Sequence, residues 1–263
     1  MDVFLLYLNL GKRNRMNEFK GLYMYLVYQP KVNLNTLEII GLEALVRFSD
    51  SKSKKKLNTE NIIDSITNID EMLSLTDKVF DKVISDIKIL DKLKCEINIS
   101  INMSSKELCN INLSNWIDEK INKYGKYISR IEIEITEKYE VKDKMVMKER
   151  INLLRKRGFF VSLDDLGSGF NQIEMIENYE VDLIKIDKSM VRNFILRKNE
   201  LDYISNMSKK RNIKLLVEGI EADRDLKRFL KLGVEFGQGY YFYKPMKFDE
   251  ILEKINLLKN ISN

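Results

Sequence analysis

Apolar and polar positions change period repeatedly along this chain, and each change marks an element. Tyr23–Tyr28 is a short apolar, β-prone run that stops at Gln29-Pro30. After the turn signal Asn33-Leu34-Asn35, Leu37–Phe48 reads as a second strand, so the two predict a hairpin. From Asn61 to Leu93 the pattern is helical, in two pieces broken near Asn68. In the second piece Met72, Leu75, Val79, Val83, Ile87 and Leu90 fall three or four apart and form one stripe. Glu96–Met103 alternates strictly, as a half-buried strand does, and Ser104-Ser105-Lys106-Glu107 is suited to open a helix with a capping side chain. Leu113–Tyr124 is helical up to Gly125. Ile131–Ile135 alternates apolar with acidic residues, and Lys142–Lys156 is a charged amphipathic helix ending at Gly158, a C′ position.

Phe159, Phe160, Val161 and Leu163 begin a buried strand that runs into Asp164-Asp165 and the turn Gly167-Ser168-Gly169. Val181–Ile186 is a strand closed by Asp187, and Met190–Lys210 is helical. Ile213–Val217 is a strand closed by Glu218-Gly219, and Ala222–Leu232 is a helix stopped by Gly233. Tyr240–Tyr243 is aromatic and β-prone, between Gln238-Gly239 and Lys244-Pro245, and Phe248–Leu258 is a final helix. From Glu96 onward strands and helices alternate at roughly 20 to 35 residues, the length of βα units. With the N-terminal pair there are eight candidate strands, which favours an α/β fold of the TIM (β/α)8 barrel type. A doubly wound sheet is the alternative, but no G-x-G-x-x-G follows a first strand.

Composition narrows the chemistry. The 263 residues suit one large domain such as an α/β barrel, or two modest ones; residues 1–20 show no clear period and read as an N-terminal extension before a domain over 21–263. Charge is mixed in sign with a net +5, and no dense Lys/Arg stripe with interleaved aromatics points to nucleic acid. Lys52, Lys54, Lys55 and Lys56 form the one basic run and read as a solvated loop. The chain has no histidine, which excludes Ser-His-Asp and Cys-His catalysis and imidazole metal sites. Cys95 and Cys109 lack the spacing and companions of a metal cluster and read as reduced thiols, in keeping with a cytoplasmic protein. The apolar run Val3–Leu10 is too short to span a bilayer and lacks the flanks of a signal peptide.

Glu43, Asn102, Glu134, Asp164 with Asp165, Lys185, Glu218 and Gln238 each lie at or near the C-terminal end of a different expected strand. Each has an ordinary reading by itself: Asn102 as a turn residue, Lys185 as a snorkelling surface lysine, Asp164-Asp165 as a capped turn, Glu218 as a strand end. In a barrel, however, those strand ends share one face, where active sites are built. Five carboxylates buried together need cations or protons. Carboxylate and amide oxygens without imidazole or thiolate suit hard ions, Mg²⁺ or Mn²⁺. Five acids can hold two such ions with one Asp bridging, which is the logic of phosphodiester hydrolysis, and a lysine among them can orient the nucleophile or neutralise phosphate charge.

The same residues fall into motifs that resemble the EAL-domain family of cyclic di-GMP phosphodiesterases. Glu43-Ala44-Leu45 stands in the context Tyr28-Gln29-Pro30 … Glu43-Ala44-Leu45-Val46-Arg47-Phe48. Asn102-Met103-Ser104, Glu134-Ile135-Thr136-Glu137, Asp164-Asp165-Leu166-Gly167-Ser168-Gly169, Ile184-Lys185-Ile186-Asp187, Glu218-Gly219-Ile220-Glu221 and Gln238-Gly239-Tyr240 follow in family order, over about residues 22 to 250. The resemblance implies a modified TIM barrel with its first strand antiparallel, and hydrolysis of cyclic di-GMP to linear pGpG with two Mg²⁺ or Mn²⁺ ions. It implies that Glu43, Asn102, Glu134 and Asp164 hold one metal, and that Asp164 bridges to the second beside Asp165 and Glu218. Lys185 would contact the attacking water, with Glu218 and Asp187 in support. Gln238 and Glu221 would order nearby groups, and Glu137 would brace the loop after Asp165. Gln29, Leu45, Arg47, Gln238 and Pro245 match substrate-binding positions. The family usually reads D-D-F-G-[TA]-G-Y-S-S in that loop; here Leu166, Phe170, Asn171 and Gln172 depart from it. The loop is linked in the family to dimerisation and metal affinity, so a homodimer is a further expectation. A receptor that binds cyclic di-GMP without cutting it is the alternative, although such receptors usually lose an acid that this chain keeps. A metal-free lyase using Lys185 as a Schiff-base amine fits poorly, because the surrounding carboxylates would hold that lysine protonated.

Overall fold

The computed structural model of the chain describes residues 18–136, 143–167 and 173–261, without the side chains of 173–174 and 256–261. The apolar run Val3–Leu10 lies outside these residues. The strands are β1 (Glu18–Phe19), β2 (Leu22–Asn33), β3 (Ile39–Asp50), β4 (Asn98–Ser104), β5 (Ile131–Thr136), β6 (Phe160–Leu166), β7 (Leu183–Ile186), β8 (Lys214–Val217) and β9 (Phe236–Gly237). The helices are α1 (Thr59–Asp64), α2 (Ile69–Lys92), α3 (Ser105–Leu108), α4 (Leu113–Tyr124), α5 (Lys144–Lys156), α6 (Ile173–Asn178), α7 (Lys188–Arg192), α8 (Lys198–Arg211), α9 (Asp223–Lys231) and α10 (Phe248–Ile261).

The strands pair in chain order, and β2 also pairs with β9, so β2 to β9 close into an eight-stranded barrel with β1 as an extra strand at its edge. Strand β2 runs antiparallel to both its neighbours, while β3 through β9 are parallel. This is the expected modified TIM barrel. The expected hairpin is also present, but β2 does not stop at Gln29-Pro30. Tyr28 donates its N–H to Met246 rather than to β3. Pro30, two residues on, therefore lacks its N–H on that same side and leaves the β3 ladder intact.

Period-two alternation decides the two faces of each barrel strand. Ile131, Ile133 and Ile135 are fully buried on the outer face, as are Ile99, Ile101 and Val161, under the surrounding helices. Helix α2 carries the expected stripe, Met72, Leu75, Val79, Val83, Ile87 and Leu90, all buried. Its Phe80 meets the single Trp116 of α4 edge-on at 5.3 Å and lies 6.4 Å from Phe159 at the base of β6. Local signals act where the alternation implies them. Asn68 caps α2, Ser104 and Glu107 form a reciprocal capping box, and Gly158 takes φ 93° just past α5.

Three further expectations are revised. The helical stretch from Met190 to Lys210 is two helices, α7 and α8, separated by turns at Asn193–Arg197. Gly125 does not end the chain's helical winding after α4, because a 3₁₀ helix continues over Gly125–Arg130. The aromatic run Tyr240–Tyr243 is not a strand: Phe242 and Tyr243 both donate to the Gly239 carbonyl and close a turn, and the closing strand β9 lies before Gln238. Aromatic β-propensity is overruled there by the close approach of Gly239 to the backbone of Ile220.

Candidate active site

The barrel puts the expected polar ring together. Lys185 on β7 is the centre: its fully buried ammonium is 2.7 Å from Glu218, 2.9 Å from Glu134, 2.9 Å from Asp164 and 3.7 Å from Glu43. Glu43 on β3 accepts from Gln238 Nε2 at 2.7 Å and from Asn102 Nδ2 at 3.4 Å. Seven residues from seven barrel strands or their ends are thereby linked. The ladders explain the convergence, since Asn102 lies opposite Glu134, and Glu134 opposite Ser162, two residues before Asp164 on the same face.

Adjacent strand residues point to opposite faces, so Asp164 and Asp165 should diverge. They do not. Asp165 adopts φ 56°, a left-handed conformation that Asp tolerates better than most side chains, and its N–H bonds to Asp164 Oδ1 at 3.0 Å. The β6–β7 ladder is irregular between Leu163 and Leu166. The kink turns the second carboxylate back, and Asp164, Asp165 and Glu218 each bring an oxygen within 4.8 Å of the others. Gly167, next in the chain, has φ 102°, and a Cβ there would stand 2.3 Å from Met190 Sδ.

Four carboxylates share one lysine, and the electrostatics follow. Burial opposes the charge on Lys185, but Asp164, Glu134, Glu218 and Glu43 hold its ammonium well above the ordinary value. Burial also opposes ionisation of Glu134, yet Lys185 and Lys31 hold it down to about 2. Burial pushes Glu218 up to about 8 against the pull of Lys185, with Asp164 adding to the rise. Burial, then the Asp164 charge, lift Asp165 to about 6. Burial likewise raises Glu43. Five acid side chains thus meet one lysine at the mouth, more carboxyl groups than its charge could balance were all of them ionised. Gln238 Oε1, in a residue 3% exposed, has no hydrogen-bond partner among the described residues. Oxygen-rich and imidazole-free, the set fits hard divalent cations.

The remaining expected residues are dispersed. Leu45, Arg47, Asn102 and Asp165 line a 520 Å³ cleft running between β3 and α2. Arg47 also borders a second, 930 Å³ groove that reaches Pro245. Gln29, the ladder partner of Glu43, donates to the Tyr243 carbonyl at 3.1 Å. Asp187 is buried and caps α7 through Ser189 N–H at 2.8 Å; its charge reaches Asp165. Glu221 is exposed, with Arg192 at 3.8 Å. Glu137 lies outside the described residues. The three N–H groups of Lys185 face three carboxylates, so contact with a water requires one of them to be yielded.

A second polar layer, outside the expected set of strand-end residues, lies below the ring. Lys31 bridges Glu132 and Glu134 at 2.7 Å each, and Ser162 donates to Glu132 at 2.6 Å. The signal was present in the alternation Ile131-Glu132-Ile133-Glu134: if Glu134 faces inward, Glu132 does too.

Comparison with known proteins agrees with this geometry. A family model described as the EAL domain matches residues 14–245. A protein of Escherichia coli (strain K12) named probable cyclic di-GMP phosphodiesterase PdeB is 30% identical over 227 residues, covering 86% of this chain and 43% of that protein. The chain spans less than half the length of the first such relatives. The EAL enzyme Bd1971, in its cAMP and cyclic-di-GMP bound form, superposes with a TM-score of 0.80 at 25% identity, over 96% of this chain and 68% of that one. An EAL domain protein from Listeria monocytogenes EGD-e does so with a TM-score of 0.75 at 26% identity, over 89% of this chain and 93% of the other. A closed barrel with one antiparallel strand, the acid–amide–lysine ring at its mouth and a match over most of the length together show that this chain belongs to the EAL domain family.

Proposed function

We propose that this chain hydrolyses cyclic di-GMP to linear pGpG with the help of two divalent cations, Mg²⁺ or Mn²⁺. The observation that carries the reading is the complete ring: Glu43, Asn102, Glu134, Asp164, Lys185, Glu218 and Gln238 converge at one barrel mouth, with more carboxyl groups than the lysine could balance were all of them ionised. The name of the PdeB relative and the cyclic-di-GMP bound form of Bd1971 support the substrate.

Glu43, Asn102, Glu134 and Asp164 would hold one ion, and Asp164, Asp165 and Glu218 the other. Bound there, the ions would supply positive charge that acidifies a water and offsets charge on the phosphoryl oxygens. In the reaction a water oxygen bonds to phosphorus, the P–O bond to the ribose 3′ oxygen breaks, and that oxygen leaves as a hydroxyl. Lys185, an ammonium at neutral pH, orients the water by donating to it and is not a base. Its neighbour Glu218 shares that ammonium, and Asp187 adds negative charge nearby. Arg47, which borders both clefts, would meet a phosphate, with Leu45 lining the first cleft and Pro245 the second, and Gln29 and Gln238 complete the substrate-binding set in this reading. Glu137 and Glu221 support surrounding segments in this reading, which also takes 21–263 as the catalytic domain after an extension over 1–20. Cys95 and Cys109 are both free thiols, which supports a cytoplasmic setting. Among the described residues no helix is long and apolar enough to cross a membrane. A homodimer is part of the same reading.

The test is incubation of the purified chain with cyclic di-GMP and either metal, with separation of nucleotides by chromatography. Accumulation of pGpG that is lost in Asp164→Ala, with the circular dichroism spectrum retained, is the expected result. Tight binding without turnover under both metals would replace the enzyme by a receptor.

A further inference from the structure

The buried layer beneath the ring calls for an explanation. TIM-type barrels fill their interior mainly with branched aliphatic side chains. Here Lys31 is 2% exposed, Glu132 5% and Ser162 0%, all inside the barrel. Buried ion pairs are poor packing material, because well-fitted apolar residues of similar volume are often as stable or more so. Stability therefore does not account for the layer, whereas its contacts suggest a role. Lys31 Nζ holds Glu134 Oε1 at 2.7 Å from below, while Glu134 Oε2 faces Lys185 at 2.9 Å. The same Nζ holds Glu132 Oε2 at 2.7 Å, and the other Glu132 oxygen accepts from Ser162 at 2.6 Å. Opposite Lys31 in the ladder stands Gly41, and the lysine stem packs directly over it: a Cβ there would lie in ordinary contact with Lys31 Cδ at 3.6 Å.

We propose that Lys31 and Glu132 are a positioning pair for the metal site: Lys31 fixes the rotation of the Glu134 carboxylate so that its second oxygen faces the mouth, and Glu132, tethered by Ser162, keeps Lys31 in place. The inference rests on the reading of Glu134 as a metal ligand. Partners behind a ligand that fix its orientation are commonly worth 10- to 100-fold in metal affinity.

The experiment measures Mn²⁺ binding to the full chain by calorimetry and by the electron paramagnetic resonance of free Mn²⁺. Melting temperature is recorded alongside. The double variant K31M/E132Q removes both charges together and leaves no lone buried ion; E132Q alone, isosteric and still able to meet Ser162, serves if the double variant does not fold. Mn²⁺ affinity is expected to fall by about 10- to 100-fold in the double variant and by about tenfold in E132Q, with melting close to the parent. A purely structural layer would instead lower melting and leave affinity as it was. Parent protein that binds Mn²⁺ beside folded variants that bind it equally well overturns this inference alone. Parent protein that binds no Mn²⁺ overturns the metal reading and this inference with it.

Discussion

Lys185→Met is the most informative single change, because one ammonium serves four carboxylates. The lysine is fully buried, with contacts at 2.7, 2.9, 2.9 and 3.7 Å. Methionine replaces most of its volume but none of its charge. Removing one partner of a buried ion pair costs about 3–5 kcal/mol, chiefly because the other is left uncompensated. The folded pKa of Lys185 lies above its ordinary 10.5, so its stabilisation is fully present below that value, and an assay near pH 7.5 captures all of it. At about 2–4 °C per kcal/mol for a chain of this size, metal-free K185M should melt roughly 6–20 °C below the parent in EDTA. Mn²⁺ should narrow the gap, since divalent charge meets the same carboxylates; at a hundredfold excess over Kd such binding is worth about 2.7 kcal/mol. Turnover should fall by about 100-fold or more, as for loss of a group aimed at developing charge. Differential scanning fluorimetry in EDTA and in Mn²⁺, with chromatographic assay of pGpG, reads all three. Unchanged melting in EDTA would refute the claim that Lys185 neutralises the ring, and undiminished turnover would refute its place in the chemistry.

Two further predictions concern the ring's surroundings. Gly239→Ala places a Cβ 2.1 Å from the Ile220 carbonyl oxygen and 2.4 Å from its nitrogen, both backbone atoms; a loss of about 1–3 kcal/mol or more is expected by thermal melting, with reduced turnover because Gln238 and Glu218 flank the contact, and parent-like melting would contradict it. Glu218, raised to about 8 from 4.5, takes up a proton on folding, so metal-free stability should decline as pH rises through that window, by up to about 1.4 kcal/mol per pH unit. Between pH 6 and 8, above the Asp165 value of about 6, Glu218→Gln should flatten the decline in EDTA melting curves, and equal slopes in both proteins would count against the assignment.

Much of this molecule is legible in the order of its residues because its signals are local. Period-two runs such as Ile131–Ile135, the α2 stripe, the Ser104–Glu107 capping box and Gly158 past α5 depend on neighbours within a few positions. Strand ends could be lined up without knowing how strands pair, so the polar ring was visible as a pattern. The closing strand was misplaced because Tyr240–Tyr243 has strand-like composition, whereas its turn is imposed by Ile220 some twenty residues away in sequence. Lys31 was missed because its partners, Glu132 and Glu134, stand 101 and 103 residues off.

The sequence by itself determined the alternation of strands and helices, the absence of imidazole chemistry and the set of acids, amide side chains and lysine available for catalysis. Tertiary structure alone decided how those charges meet. It turned Asp165 back beside Asp164 through a left-handed residue, set Lys185 among four carboxylates, and slid Lys31 past Gly41 to a ligand's underside. The physical reason is that secondary structure follows short-range sterics and solvation, whereas the protonation and orientation of a buried carboxylate follow the charges that barrel closure brings within a few ångströms of it.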